Sequence, residues 1–289
     1  MKAFFTRLAS GIVLLAIIIL GGILGGWFLF GLVFLISVIG YLEFARVFGI
    51  HRNILGISGA VVSAAYLYLA HAGGIQDIGT LGMLVLLEAG PLLLLTYLLF
   101  LFAIYVFTFP KYRTEQVMAA FFGVFYIPVM LSFVYIVRMS PMFGTSRDGM
   151  ILYWLIFICS WGCDTCAYAV GMLLGKHKLA PVLSPKKSIE GAVGGVAGAA
   201  LLGYLCGRCG TYYMQDHAWI LALACALGAV LSQIGDLTAS AVKRNHDIKD
   251  YGHLIPGHGG ILDRFYSVIF TAPVIFAMAR FILPIVQAY

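Results

Sequence analysis

The segment from Ser240 to Tyr266 carries the densest set of chemically active residues in the chain. Basic and acidic side chains are interleaved there, and a His-Gly-Gly triplet occupies 258–260. Glycines let backbone N–H groups approach an anion, bases neutralise phosphate oxygens, and carboxylates hold a metal that bridges those oxygens. The segment therefore predicts chemistry on phosphate groups. A solvated loop around a Pro-Gly turn at 256–257 is the alternative.

A second polar segment, from Gly175 to Gly195, combines lysines and serines with an acid and glycines that open a helix. A helix N-terminus attracts phosphate, so this composition favours a second anion-binding loop. A basic patch at the lipid surface is the alternative. The candidate substrate-binding residues of this segment are Lys176, Lys178, Ser184, Lys186, Lys187, Ser188 and Glu190.

In the second half of the chain, Asp164 and Asp236 lie inside apolar runs, where an ionised acid costs at least about 2.5–3.5 kcal/mol. Asp164 is about 15 Å from the cytoplasmic end of its run, and Tyr168 lies on the same helical face. Asp236 shares one stripe with Ser232 and Ser240. Two such acids on different helices indicate a shared cation, and Mg²⁺ fits better than zinc. A protonated Asp164 bonded to a neighbouring helix is the alternative.

Composition determines what kind of protein must position these residues. Of the 289 residues, 62% are hydrophobic and 10% charged, with a mean hydropathy of +1.00. These values exclude a soluble globule, because too few polar side chains exist to cover its surface. We predict an all-α polytopic membrane protein of about nine spans. Their expected ranges are 8–25, 27–44, 56–72, 82–109, 116–137, 150–174, 191–207, 217–243 and 265–287.

Charge sorting between the loops predicts the orientation. With nine spans, 14 of the 18 Lys and Arg residues fall on one side, which we assign to the cytoplasm together with the N-terminus. The net charge of +6 is then explained by anionic lipid, and no nucleic-acid partner is expected. We interpret the first run as a retained helix and not a signal peptide. Pro91 leaves open whether its run is one kinked helix or two short ones.

Polar chemistry is concentrated in the second half of the chain. Residues 160–266 hold seven of the 12 carboxylates, whereas the spans before residue 150 are almost purely apolar. We predict an N-terminal scaffold, 1–149, and a catalytic region, 150–289, with cytoplasmic loops at 175–190 and 243–264.

Close helix packing is predicted near the second polar segment. Gly191 with Gly195, and Gly194 with Gly198, form two overlapping pairs of small residues four positions apart. Such pairs let helix backbones approach closely inside a membrane, so we expect packing there and not chemistry.

The motif from Ser240 to Arg264 resembles the signature of the phosphatidate cytidylyltransferases, or CDP-diacylglycerol synthases. It reads S-x-x-K-R, four residues, K-D-x-G, then P-x-H-G-G and D-R. The stretches 164–168, 175–181, 184–190 and 235–237 are also similar to that family, so the resemblance covers about residues 150–266.

The resemblance implies a reaction in which CTP and phosphatidate give CDP-diacylglycerol and pyrophosphate with Mg²⁺, with or without a second cation. It implies Asp236 and Asp263 as metal ligands. The expected catalytic residues are Lys243, Arg244, Lys249, Asp250, His258 and Arg264; Asp164, Tyr168, Ser240, Gly259 and Gly260 join the substrate-binding set. The expected partners are CTP, phosphatidate and membrane lipid, with a homodimer left open. The expected location is a bacterial inner membrane, with the active site facing the cytoplasm.

Three positions depart from the family pattern. Tyr266 replaces the last Asp of D-R-x-D, Ala239 replaces a common Glu, and Ser188 replaces the usual Thr. We expect activity because Asp164 and the other motif acids are present. The alternatives are an inactive paralogue, a CTP-dependent kinase or nucleotidyltransferase of another lipid, and an ion-coupled transporter.

Overall fold

The structure, a computed structural model, describes residues 2–74, 79–140, 145–209 and 215–287. Within these ranges almost every element is a helix, as continuous apolar runs predict. The helices are α1 (Lys2–Leu24), α2 (Gly26–Val47), α3 (Ile54–Gly74), α4 (Gly79–Phe107), α5 (Thr114–Val124), α6 (Met130–Met139), α7 (Ser146–Phe157), α8 (Cys163–Leu174), α9 (Ile189–Arg208), α10 (Ala218–Asn245) and α11 (Leu262–Gln287).

The predicted all-α membrane architecture is confirmed. In the described part of the chain, eight helical segments are long and apolar enough to cross a membrane, and the Leu8–Leu24 part of α1 is a shorter apolar stretch. The α4 helix runs without interruption through Pro91, which settles the alternative that the sequence left open. The placement of the N-terminus in the cytoplasm stays a prediction.

Two spans consist of paired helices joined by a wide π-turn. Phe125–Val129 joins α5 to α6, and Ile158–Gly162 joins α7 to α8. Pro128 explains the first turn, because proline has no N–H for the regular ladder. The second turn ends just before Asp164, and such turns are frequent beside functional residues.

The chain folds into two compact units. The first contains Met1–Met142 and Asp250–Arg264, so the Asp250–Arg264 part of the signature, which we call the signature loop, packs with the N-terminal helices. Tyr41 and Phe44 of α2 are fully buried in it. Gly123 allows this packing, since a Cβ there would lie 2.9 Å from Cδ1 of Phe44. The functional division into scaffold and catalytic region stays a prediction.

The second unit contains Phe143–Lys249 and Phe265–Tyr289. In it, α8, α9 and α10 pack closely through glycines. A Cβ on Gly195 would lie 2.9 Å from Sγ of Cys163, and one on Gly198 would lie 2.5 Å from Sγ of Cys166. The predicted close packing by small residues is therefore confirmed.

A short antiparallel hairpin precedes α9. Its strands, β1 (Lys178–Ala180) and β2 (Ser184–Ser188), pair Lys178 with Ser188. Ser188 then caps α9, because its Oγ accepts the N–H of Gly191 at 3.2 Å. The second polar segment thus contains a helix N-terminus, as predicted.

Candidate active site

A cavity of about 570 Å³ lies in the second unit, bounded by α8, the hairpin, the start of α9, α10 and Tyr266. Its polar lining includes seven residues that the sequence predicts for the site. They are Asp164, Tyr168, Ser184, Lys186, Lys187, Ser188 and Asp236. The structure therefore brings together acids, bases and hydroxyls from segments that are distant in sequence.

The α8 helix presents Asp164 and Tyr168 to this cavity. The acid lies in the first turn of the helix and is half-buried, while the phenol is 72% exposed. Residues four positions apart share a helical face. The prediction that both line one cavity is confirmed.

An ion pair joins the hairpin to α10. Nζ of Lys187 contacts Oδ2 of Asp236, and the two side chains are 26% and 15% exposed. Partners of opposite charge make such partial burial tolerable, because each offsets the loss of water around the other. The position of the Asp236 carboxylate is thus coupled to that of a lysine from the hairpin.

Gln233 fixes α10 one turn before Asp236. Its Nε2 donates to the carbonyl of Ala192 at 3.0 Å and approaches Sγ of Cys163 at 3.4 Å. These contacts tie α10 to α9 and α8. They hold the helix face that carries the acid.

The donor set of the cavity suits a hard divalent cation. Asp164 and Asp236 both line it, and Mg²⁺ is usually held by one or two carboxylates and keeps waters or phosphate oxygens as its other ligands. Among the described residues, no three His, Cys, Asp or Glu side chains form a cluster able to hold a metal ion. A Mg²⁺ ion here would take ligands from the substrate or from water.

Glu190 binds the polypeptide at the start of the hairpin. Its carboxylate accepts the N–H groups of Lys176 and His177 at 3.1 and 3.2 Å and lies 2.6 Å from Nδ1 of His177. The Glu190 carboxylate therefore connects the residues just before β1 to the start of α9. Its predicted contact with substrate, and those of Lys176 and Lys178, stay predictions.

The C-terminal end of α10, which we predict to face the cytoplasm, carries the first part of the signature. Ser240 and Lys243 are half-buried, whereas Arg244 and Lys249 are exposed. Nζ of Lys243 lies 5.8 Å from the centre of the Tyr266 ring, a cation–π arrangement. Tyr266, which replaces an acid of the family pattern, thus lies near Lys243, a predicted catalytic residue.

In the first unit, Asp263 organises the signature loop. Its Oδ2 accepts the N–H of Tyr251 at 2.8 Å and that of Gly260 at 3.0 Å, and the residue is 5% exposed. Burial, together with the phenol of Tyr126 and the charge of Asp263, raises the pKa of Tyr251 above its ordinary value. The acid predicted to bind metal therefore also closes the loop.

His258 and Arg264 are held within the same loop. Nε and Nη2 of Arg264 donate to the carbonyl of His258 at 3.1 and 3.0 Å. Nδ1 of His258 lies 2.7 Å from Oγ of Ser10, which also donates to the Pro256 carbonyl. Gly259 has φ +91°, a conformation that only glycine adopts without strain. These contacts shape the loop.

Glu43 is the residue that the sequence analysis missed. It lies in α2, is 4% exposed, and accepts the N–H groups of Ile261 and Leu262 at 3.1 and 2.8 Å. A Cβ on Gly260 would lie 2.5 Å from both carboxylate oxygens. The sequence signal that could have identified Glu43 is the presence of an acid within an apolar run.

The predicted site residues thus form two groups. One lines the cavity of the second unit, and Ser240, Lys243, Arg244 and Lys249 belong to the same unit. The other, in the first unit, is Asp250, His258, Gly259, Gly260, Asp263 and Arg264. The use of both groups in one reaction, including the pairing of Asp236 with Asp263 on metal, stays a prediction.

Comparison with known sequences connects these residues to an enzyme family. A model of the cytidylyltransferase family matches residues 5–282. The phosphatidate cytidylyltransferase of Synechocystis sp. is 43% identical over 141 residues, 48% of this chain and 46% of that protein. That of Staphylococcus haemolyticus is 39% identical over 136 residues, 46% of this chain and 50% of that protein. That of Rickettsia felis is 39% identical over 159 residues, 53% and 67% respectively. The chain spans about half the length of the first two relatives.

Proposed function

Because the chain belongs to the cytidylyltransferase family, we propose that it transfers CMP from CTP to phosphatidate, giving CDP-diacylglycerol and pyrophosphate. The observation that carries the proposal is the cavity in which Lys186 and Lys187 line the same space as Asp164 and Asp236. Bases and acids around one cavity suit a triphosphate and its cation. The name shared by the relatives supports the choice of substrate.

In the proposed reaction a phosphate oxygen of phosphatidate attacks the α-phosphorus of CTP, and the bond to pyrophosphate breaks. No covalent bond to the protein forms. Catalysis then rests on aligning two anions and neutralising the charge that develops on the leaving group. Lys186 and Lys187 supply positive charge at the cavity, and Ser188, which also lines it, lies at the positive end of the α9 helix dipole.

A magnesium ion fits the proposal, with Asp164 and Asp236 as the residues of the cavity that would hold it and Asp263 as the further ligand implied by the motif. When bound, it would supply positive charge to the phosphate oxygens of the nucleotide. Lys187 would keep Asp236 oriented toward the cavity through the observed ion pair.

A neighbouring apolar cavity supports a lipid as the second substrate. It measures about 490 Å³ and lies between α9 and α10, with Val193, Val196 and Ile234 in its lining. Leu179, Ala192 and Gln233 line this cavity as well as the polar one. An acyl chain in the apolar cavity would therefore lie beside a headgroup in the polar one.

We place the enzyme in a bacterial inner membrane, with its active site toward the cytoplasm, where CTP is available. The polytopic helical fold and the bacterial relatives support the membrane location. The charge sorting of the loops supports the orientation. A homodimer is compatible with this arrangement and is not required by the cavity of the second unit.

A labelled-nucleotide assay tests the proposal. Purified protein receives phosphatidate, Mg²⁺ and CTP labelled at either the α- or the γ-phosphate. A cytidylyltransferase moves α-label into the lipid fraction, whereas a CTP-dependent kinase moves only γ-label. Absence of α-label from the lipid in excess Mg²⁺ would refute the proposed activity.

A further inference from the structure

We propose that Glu43 is a positioning residue for the transfer reaction, because its carboxylate fixes the backbone from which Asp263 and Arg264 project. The inference deepens the proposed function and rests on it for its kinetic readout. Glu43 lies in α2, outside both the signature and the cavity of the second unit. Its role would be exerted through the signature loop and not by contact with substrate.

The first support is the pair of hydrogen bonds at the start of α11. Oε1 of Glu43 accepts the N–H of Ile261 at 3.1 Å, and Oε2 accepts that of Leu262 at 2.8 Å. The first N–H groups of a helix have no partner within the helix, and a carboxylate is the favoured acceptor there. Here the acceptor lies 218 and 219 positions earlier in the chain, so it fixes where the helix begins relative to α2.

The second support is the packing on both sides of the carboxylate. A Cβ on Gly252 would overlap the Glu43 side chain, and one on Gly260 would lie 2.5 Å from its oxygens. Glu43 therefore lies against the backbone at two separate points of the signature loop. A Cβ at either position would require the Glu43 carboxylate to move, and both glycines belong to the signature.

The third support is the division of backbone donors between two acids. Asp263 binds the N–H groups of Tyr251 and Gly260, while Glu43 binds those of Ile261 and Leu262. The three consecutive backbone N–H groups of residues 260–262 thus donate to two carboxylates. Movement of the segment that Glu43 holds would carry Asp263 with it.

Burial indicates that this contact has a specific use. Glu43 is 4% exposed in a helix that is otherwise strongly apolar, and an apolar residue would pack there without the loss of hydration. The carboxylate accepts the two donors just before Asp263, which an apolar side chain could not do. The geometry therefore connects a scaffold helix to a predicted metal ligand.

The test compares Glu43→Gln with Glu115→Gln in the full-length protein. Glutamine keeps the size of the side chain but offers one acceptor where two donors need one each. Glu115 is an exposed acid of the same unit, paired with Arg113 at 3.4 Å, and serves as the matched control. We measure kcat, KM for CTP, the Mg²⁺ concentration for half-maximal activity, and hydrogen exchange of the 251–264 peptide.

For Glu43→Gln we expect kcat to fall about 10- to 100-fold, as small misplacements in active sites produce. We also expect half-maximal activity to need about tenfold more Mg²⁺ and the loop to exchange faster. Glu115→Gln should match the wild type in all four measurements. Wild-type kcat, Mg²⁺ dependence and loop exchange in Glu43→Gln would overturn the inference. An inactive wild type would instead overturn the proposed function, and the exchange measurement would still decide the role of Glu43.

A double-mutant cycle tests the contact directly. Gly252→Ala should lower kcat about tenfold in the wild type, because the new methyl group overlaps Glu43. In the Glu43→Ala background the same methyl group has room, so Gly252→Ala should cause no further fall. Equal effects in both backgrounds would show that the two residues act independently and would contradict the proposal.

Discussion

The cavity of the second unit and the signature loop of the first use the same residue types in opposite ways. In the cavity, Asp164 and Asp236 line open space, and Asp236 pairs with a lysine. At the loop, Glu43 of α2 and Asp263 are almost fully buried and accept backbone N–H groups. Carboxylates therefore border a cavity in one region and shape the backbone in the other.

Asp236→Asn provides the strongest test of the cavity side of this comparison. We expect CDP-diacylglycerol formation to fall about 10³-fold, since the change removes the charge proposed to hold the cation. The fold should persist, because an amide of the same size remains beside Lys187. Transfer of α-label measures the effect, and Asp216→Asn, at an exposed position of the same unit, is the control. Full turnover in Asp236→Asn would remove this acid from the metal site.

Asp263→Asn tests whether the acid of the signature loop contributes to stability as well as to activity. We expect activity to fall about 10²-fold and the thermal midpoint in detergent to fall by several degrees. Both N–H groups donate to Oδ2 of Asp263, and an amide oxygen in its place is a neutral acceptor; hydrogen bonds to charged groups contribute about 1.5–3 kcal/mol, against about 0.5–1.5 kcal/mol for neutral ones. The two Asp→Asn variants are compared in one thermal melt series. A midpoint change no larger than that of Asp236→Asn would contradict the structural half of the role assigned to Asp263.

Lys187→Gln tests whether the lysine of the cavity contributes to CTP binding. We expect KM for CTP to rise about tenfold with a smaller change in kcat, because a cation that contacts phosphate contributes mainly to binding. Lys111→Gln, at an exposed position of the first unit, provides the matched loss of charge. Initial rates over a range of CTP concentrations separate the two constants. An unchanged KM would mean that Lys187 serves only to hold Asp236.

Tyr266→Asp should have the smallest effect. Tyr266 lines the cavity, and restoring the acid of the family pattern should lower the Mg²⁺ requirement about threefold, as expected for one added charge at a partly exposed position. The change also removes the ring beside Lys243. A Mg²⁺ titration of activity checks this, with Tyr266→Phe as the control that keeps the ring. A higher Mg²⁺ requirement in Tyr266→Asp would show that the tyrosine suits this enzyme better than the acid.

Much of the fold follows from local sequence signals. Apolar runs predict the helices because a membrane span has a minimum length, and four-residue spacing predicts that Asp164 and Tyr168 share a face. The glycine pairs of α9 predict its close packing, which the contacts with Cys163 and Cys166 confirm. Each of these signals lies within one helix.

Relations between distant segments are not predictable in the same way. Periodicity shows which face of a helix is polar but not which other segment meets it. The pairing of Lys187 with Asp236, and of Glu43 with the start of α11, joins residues far apart in the chain. Treating the N-terminal spans as purely hydrophobic concealed Glu43, because one acid barely changes the mean hydropathy of a span.

The long separation between Glu43 and its partners has a consequence for biosynthesis. At about 5–20 residues per second, a ribosome needs roughly 10–40 s to add the intervening stretch of chain. During that interval the nascent helix α2 carries an acid whose final backbone donors do not yet exist. Until α11 is made, the Glu43 carboxylate must therefore be hydrated, protonated or paired with another group.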